Sequence, residues 1–87
     1  MTDEQVIETI DNALCEEFEL EPSDMTPEAT LFDKLGLDSL DVVDMVIVLE
    51  STFSFKIRED PALREIRTLG DIHKFVIAKK RQIETEG

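Results

Sequence analysis

Leu35-Gly36-Leu37-Asp38-Ser39-Leu40 is the stretch on which the reading of this chain turns. It places one serine where a long connection gives way to an apolar helical pattern, with Asp38 before it and Asp41 and Asp44 after it. A serine at a helix start can cap the helix by accepting a first-turn N–H. Its hydroxyl can instead carry a covalently attached phosphate, because the unpaired N–H groups and the dipole of a helix N-terminus favour an anion there. As a mere cap, Ser39 would lose about 1 kcal/mol on replacement by Ala and have no other role.

Downstream, a helix is predicted from Ser39 or Leu40 to about Phe53. At helical periodicity its apolar residues fall into two groups. Val42, Met45, Val46, Leu49 and Phe53 make a broad core face. Leu40, Val43 and Ile47 make an adjacent strip, flanked by Asp41, Asp44, Glu50 and Ser51. An apolar strip rimmed by acids suits docking of a basic partner. A central helix buried on most sides would give the same pattern, and periodicity alone leaves both readings open.

Upstream, residues 20–38 contain Pro22, Pro27 and Gly36 and no long periodic run. Loops of this length are functional or disordered. Leu20, Met25, Leu31, Phe32, Leu35 and Leu37 are expected to pin this one to the core. Before it, a helix is predicted from about Asp3 to Glu19, opened by a Thr2–Gln5 capping pattern. Val6, Ile7, Ile10, Ala13, Leu14 and Phe18 form its apolar stripe, with Cys15 just off it.

After a connection at 54–59, Asp60-Pro61 reads as an N-cap with Pro at the first helical position, leading a short helix over Ala62 to Ile66. Thr68-Leu69-Gly70-Asp71 is a further capping pattern. The last helix carries Ile72, Phe75, Val76 and the alkyl part of Lys79 on its inner face and is expected to end near Arg81 or Gln82, with a frayed tail over 84–87. The expected fold is all-α: a four-helix bundle of three longer helices and one short third helix, with a long loop between the first two, in a single domain over residues 1–87.

Charge bounds the function. The 87 residues carry a net charge of −12. Residues 1–55 hold fifteen acids and one base, Lys34, for −14, and residues 56–87 hold six acids and eight bases, for +2. Such acidity argues against nucleic acid and anionic membranes and for basic protein partners. The longest apolar stretch, Met45 to Leu49, is far short of the ~20 residues of a membrane span. The acidic start Met1-Thr2-Asp3-Glu4 is unlike a signal peptide, and Cys15 is the sole cysteine. Both point to the reducing cytoplasm, and a monomer is expected.

Direct catalysis finds no support. Cys15 has no basic neighbour in sequence to activate it and reads as a small hydrophobe. His73, the sole histidine, lacks the companions of a zinc site and reads as structural or solvated. No window has the acid spacing of a calcium loop. No nucleophile–base pair is evident.

The stretch Phe32-Asp33-Lys34-Leu35-Gly36-Leu37-Asp38-Ser39-Leu40-Asp41 resembles the attachment motif of acyl carrier proteins. The resemblance extends over roughly residues 3–80, through the apolar pattern of the second helix, Thr68-Leu69-Gly70-Asp71, the chain length and the acidity. It implies that Ser39 is esterified to 4′-phosphopantetheine, donated by coenzyme A through a phosphopantetheinyl transferase. Asp38 then resembles the residue that helps position that enzyme's metal and coenzyme A. The arm would carry acyl intermediates as thioesters for fatty-acid, lipid or related synthesis, with no chemistry performed by the carrier.

The resemblance also makes the second helix the partner face. Leu40, Val43 and Ile47 match its apolar contacts, and Asp41, Asp44 and Glu50 its acidic contacts to basic patches on acyl-chain synthesis and acyl-transfer enzymes. Departures from the family are Ser51, Phe55 and the basic residues Lys56, Arg58, Arg64 and Arg67, which suggest a specialised carrier. The alternatives are a peptidyl or aminoacyl carrier, or an unmodified acidic protein-interaction module.

Overall fold

The computed structural model describes residues 2–57 and 61–86. It contains three α-helices: α1 (Asp3–Phe18), α2 (Ser39–Phe53) and α3 (Leu69–Glu86). Two short 3-10 turns, Pro22–Asp24 and Pro61–Glu65, lie in the connections. The architecture is all-helical among the described residues, and the expected short third α-helix is a 3-10 turn. A run of five residues that begins with a proline and ends before the buried Ile66 leaves little room for i→i+4 bonds, whereas i→i+3 bonding suits short runs. Asp60, the expected cap of that element, lies outside the described residues.

The capping patterns at Thr2 and at Thr68 are formed. The Thr2 hydroxyl accepts the Gln5 N–H while the Gln5 side chain accepts the Thr2 N–H. At α3 the Thr68 hydroxyl accepts the Asp71 N–H, and Asp71 Oδ2 accepts the N–H groups of Arg67 (2.9 Å) and Thr68 (3.1 Å). α3 runs past the expected stop at Arg81 or Gln82 to Glu86. No Gly or Pro intervenes before Gly87, and Lys, Arg and Gln are good helix formers.

The Arg67 N–H, followed by that of Thr68, holds the Asp71 carboxyl below the usual carboxylate range. A carboxyl depressed on folding stabilises the protein above its ordinary value, and that contribution is lost as pH falls through the lowered folded value. Relative to Asp71→Asn, the wild type is therefore expected to lose stability progressively below about pH 4. Urea unfolding of both proteins across the acid range checks this, and parallel curves would contradict it.

α1 packs against both α2 and α3. Val6, Ile10 and Leu14 of α1 meet Met45, Val46 and Leu49 of α2 and Leu69, Ile72 and Val76 of α3 in one core. The connections supply Ala29, Leu31, Leu35, Leu37, Phe55, Ile57 and Ile66 to the same core. Leu31, Leu35 and Leu37 thus anchor the long loop as expected, with Leu20 and Met25 packed at the margin. Phe32 departs from the expectation, being 49% exposed. Its neighbour Leu31 takes the inward position, 1% exposed.

The long loop is also stitched to the start of α3. Leu31 N–H donates to Arg67 O, Leu69 N–H to Ala29 O, and Gly70 N–H to Pro27 O, at 2.9–3.0 Å. Thr30 and Thr68 form an isolated antiparallel bridge.

Candidate functional site at the start of α2

Residues 30–37 form a closed turn. The N–H groups of Lys34 and Leu35 both reach Thr30 O, and Leu37 N–H reaches Leu31 O at 2.9 Å. Gly36 sits at φ +70°, a conformation that side chains disfavour. With Leu35 and Leu37 buried, this turn brings residues 38–40 out to the surface as the first residues of α2.

Asp38, not Ser39, is the helix cap. Its Oδ1 accepts the Asp41 N–H at 2.9 Å, and Asp41 Oδ2 accepts the Asp38 N–H at 3.1 Å. Val42 N–H is satisfied by Asp38 O. Ser39 is the first helical residue and exposed. Its hydroxyl has no hydrogen-bond partner among the described residues, so nothing structural occupies it. The Ser39 and Leu40 N–H groups are the first-turn donors that no described acceptor meets, as expected of a helix start. The Asp-x-x-Asp spacing of 38 and 41 was the signal for this cap.

Beyond Ser39, the second apolar strip of α2 is solvent-exposed: Leu40 by 75%, Val43 by 56% and Ile47 by 42%. The alternative of a helix buried on most sides is thereby removed. Val42 and Phe53 pack at the margin of the core, and Met45, Val46 and Leu49 lie within it. α2 carries acids and no Lys or Arg. Exposed large apolar side chains in one patch mark interaction surfaces.

The predicted acidic rim divides. Asp44 is exposed. Asp41 is half-buried and already engaged with Asp38. Glu50 is half-buried, and its Oε2 accepts the Ile57 N–H at 2.9 Å. It holds down the segment after α2, where Phe55 and Ile57 are buried and the Phe53 and Phe55 rings lie 5.6 Å apart. No sequence rule predicted this bond across seven residues. Glu50→Ala is expected to speed amide exchange at Ile57 about tenfold, equivalent to losing one charge-assisted bond of ~1.4 kcal/mol, while Glu50→Gln keeps most of the protection. Unchanged exchange in Glu50→Ala would refute this anchoring.

Among the basic departures, Lys56 and Arg64 are exposed, and Arg58 lies outside the described residues. Arg67 donates from Nη1 to the carbonyls of Arg64 (2.7 Å) and Ile66 (3.2 Å), and so closes the end of the 3-10 turn. Elsewhere, burial pushes the Cys15 thiol up, with Asp11 and Glu21 adding to the shift, opposite to what a nucleophile requires. His73 is 6% exposed, with Nε2 2.8 Å from Asp11 Oδ1. It is structural rather than solvated. No group of His, Cys, Asp and Glu among the described residues is arranged to hold a metal.

The phosphopantetheine attachment site family matches residues 8–76. Acyl carrier protein 2 of Ralstonia nicotianae is 38% identical over 72 residues, covering 83% of this chain and 88% of the relative. The acyl carrier protein of Thermotoga maritima is 38% identical over 76 residues, covering 87% of this chain and 93% of the relative. The chain belongs to the acyl carrier protein family. The carrier's prosthetic group is a covalently attached 4′-phosphopantetheine, and its cargo is acyl groups. The residues at the start of α2 fit such a group: a free primary hydroxyl at the surface, beside two backbone N–H groups that a phosphodiester oxygen suits. When bound, the group supplies a thiol for thioester formation.

Proposed function

We propose that Ser39 is the attachment residue and that the chain is a single carrier domain over residues 1–87. The observation that carries this reading is the division of labour at the start of α2: Asp38 caps, and the Ser39 hydroxyl is left exposed. A phosphopantetheinyl transferase then has a nucleophile within reach that no structural bond must release. Asp38, adjacent and exposed, is suited to the transferase's metal and coenzyme A.

The protein performs no chemistry of its own in this reading. It presents acyl thioesters to acyl-chain synthesis and acyl-transfer enzymes, as a cytoplasmic monomer. Those enzymes dock on α2, with Leu40, Val43 and Ile47 as the apolar contacts and Asp41 and Asp44 as partners for Lys and Arg. Glu50 contributes by fixing the segment that follows. The 3-10 turn Pro61–Glu65 takes the place of the short third helix of a four-helix carrier, and the exposed bases Lys56 and Arg64 give it a second face for an acidic or differently shaped enzyme. Among the described residues no helix is long and apolar enough to cross a membrane.

The test is intact mass before and after incubation with coenzyme A and a broad-specificity phosphopantetheinyl transferase. A gain of one phosphopantetheine unit, mapped to the peptide containing Ser39, is expected. Folded protein that gains nothing from an active transferase would sink the reading and leave the α2 face as that of an unmodified interaction module.

A further inference from the structure

A concave surface lies between α1 and the first 3-10 turn. It is an open groove of about 380 Å³. Ile7 and Cys15 of α1 and Met25 of the loop give it an apolar floor, and Glu4, Glu8 and Asp11 line it with carboxylates. Ile7 and Cys15 are eight residues apart, so the floor extends roughly 12 Å along the helix. The lining of the groove carries three carboxylates and no Lys or Arg, while nearby Arg81 is paired with Asp3 at 2.7 Å and Lys34 with Asp24 at 3.6 Å. Glu4 and Glu8 have no ion-pair partner among the described residues. Asp11 uses Oδ1 on His73 Nε2, and its Oδ2 has no such partner.

We propose that this groove receives a short amphipathic segment of a partner protein, with an apolar side chain on the Ile7–Cys15–Met25 floor and Lys or Arg on the carboxylates. Charge complementarity selects that occupant. An anionic or purely apolar ligand would desolvate three carboxylates with nothing to pair them, which is costly. A cationic edge pairs them where the floor lowers the local dielectric. Asp11 makes the groove felt further in. A cation shared with its carboxylate changes the field at the buried His73 ring, which ties α3 to α1. The partner seated here is distinct from one docked on α2, so both can be held at once.

The sole histidine and the sole cysteine both adjoin the groove, and each gives a single reporter signal. The experiment is an NMR titration of the isotopically labelled full chain with a synthetic helical peptide of leucine and lysine. The expected result is one saturable isotherm shared by the Ile7, Cys15 and Met25 amides and the His73 ring. That isotherm should weaken about three- to tenfold in the surface variant Glu4→Gln/Glu8→Gln, the effect of removing two exposed charges, and weaken further with salt. Asp41→Asn/Asp44→Asn should leave it in place. A peptide with glutamate for lysine should move none of these signals.

Immobile His73 and Cys15 signals, or equal sensitivity to the α2 variant, would overturn the proposal. Movement with protein concentration alone would make the occupant a second copy. Movement on acyl loading but not with peptide would make it the chain's own cargo. Either outcome also overturns the proposal. Transferase loading at Ser39 is expected to be normal in Glu4→Gln/Glu8→Gln, which keeps this test separate from that of the attachment residue.

Discussion

Ser39→Ala is expected to lose phosphopantetheine loading completely while remaining as stable as the unmodified parent protein. The chemical half is all or none, because Ala has no oxygen to esterify. The structural half follows from the cap. The Asp41 N–H goes to Asp38 Oδ1 and the Val42 N–H to Asp38 O, so removing the Ser39 hydroxyl leaves no first-turn donor newly unsatisfied. Ala is also the better helix former. The change in unfolding free energy should stay within about 0.5 kcal/mol, the range of ordinary surface substitutions. Asp38→Ala is the mirror experiment: it keeps the hydroxyl, loses the cap and should cost about 1 kcal/mol. Intact mass and urea unfolding on the two variants give both readouts. Residual loading of Ser39→Ala would put the attachment elsewhere.

Gly70→Ala is expected to destabilise the fold by about 2 kcal/mol. Here two effects oppose each other. In a helix, Ala is preferred over Gly by up to about 1 kcal/mol, and Gly70 is the second residue of α3. Against that, a Cβ at this position would lie 2.9 Å from Pro27 O and 3.3 Å from Pro27 Cβ. The oxygen cannot swing aside cheaply, since it accepts the Gly70 N–H, and the flanking bonds Leu69 N–H to Ala29 O and Leu31 N–H to Arg67 O hold the same strip. The clash therefore wins. For a domain of this size the loss corresponds to roughly 10 °C or more in Tm. A Tm equal to or above that of the wild type would show that the loop yields freely and that the stitching is weak.

Much of this was legible in the sequence, for identifiable reasons. α1 and α2 were placed because their signals are local: Thr2 with Gln5 at one start, and the 3.6-residue recurrence of Val6, Ile10 and Leu14 or of Val42, Met45 and Leu49. The exposed strip of Leu40, Val43 and Ile47 was legible as a second apolar stripe, but whether it was buried depended on what packs over it, which is not a local property. Phe32 is large and apolar and so reads as an anchor, but its neighbour Leu31 holds the inward position. α3 continues past the expected end at Arg81 or Gln82 because no Gly or Pro precedes Gly87 to enforce a stop. Glu50 illustrates the limit: its bond to Ile57 depends on how the chain turns after Phe53, and nothing in residue order announces it.

The bonds between residues 27–31 and 67–70 also govern where the chain can be cut. Residues 1–55 contain one Lys and no Arg, so Lys34 offers trypsin its sole target in that length. Its side chain is exposed, but its N–H is held by Thr30 O, and the flanking Leu31 and Leu35 are buried. A protease needs several residues drawn out into its cleft, so the scissile bond becomes available only when the strip comes away from the start of α3 and the leucines leave the core. When opening and closing are fast relative to cleavage, the digestion rate reports the population of that open form. One exposed lysine, in a chain otherwise bare of cationic residues for its first 55 positions, thus serves as a built-in clock for the loosening of the loop that presents Ser39.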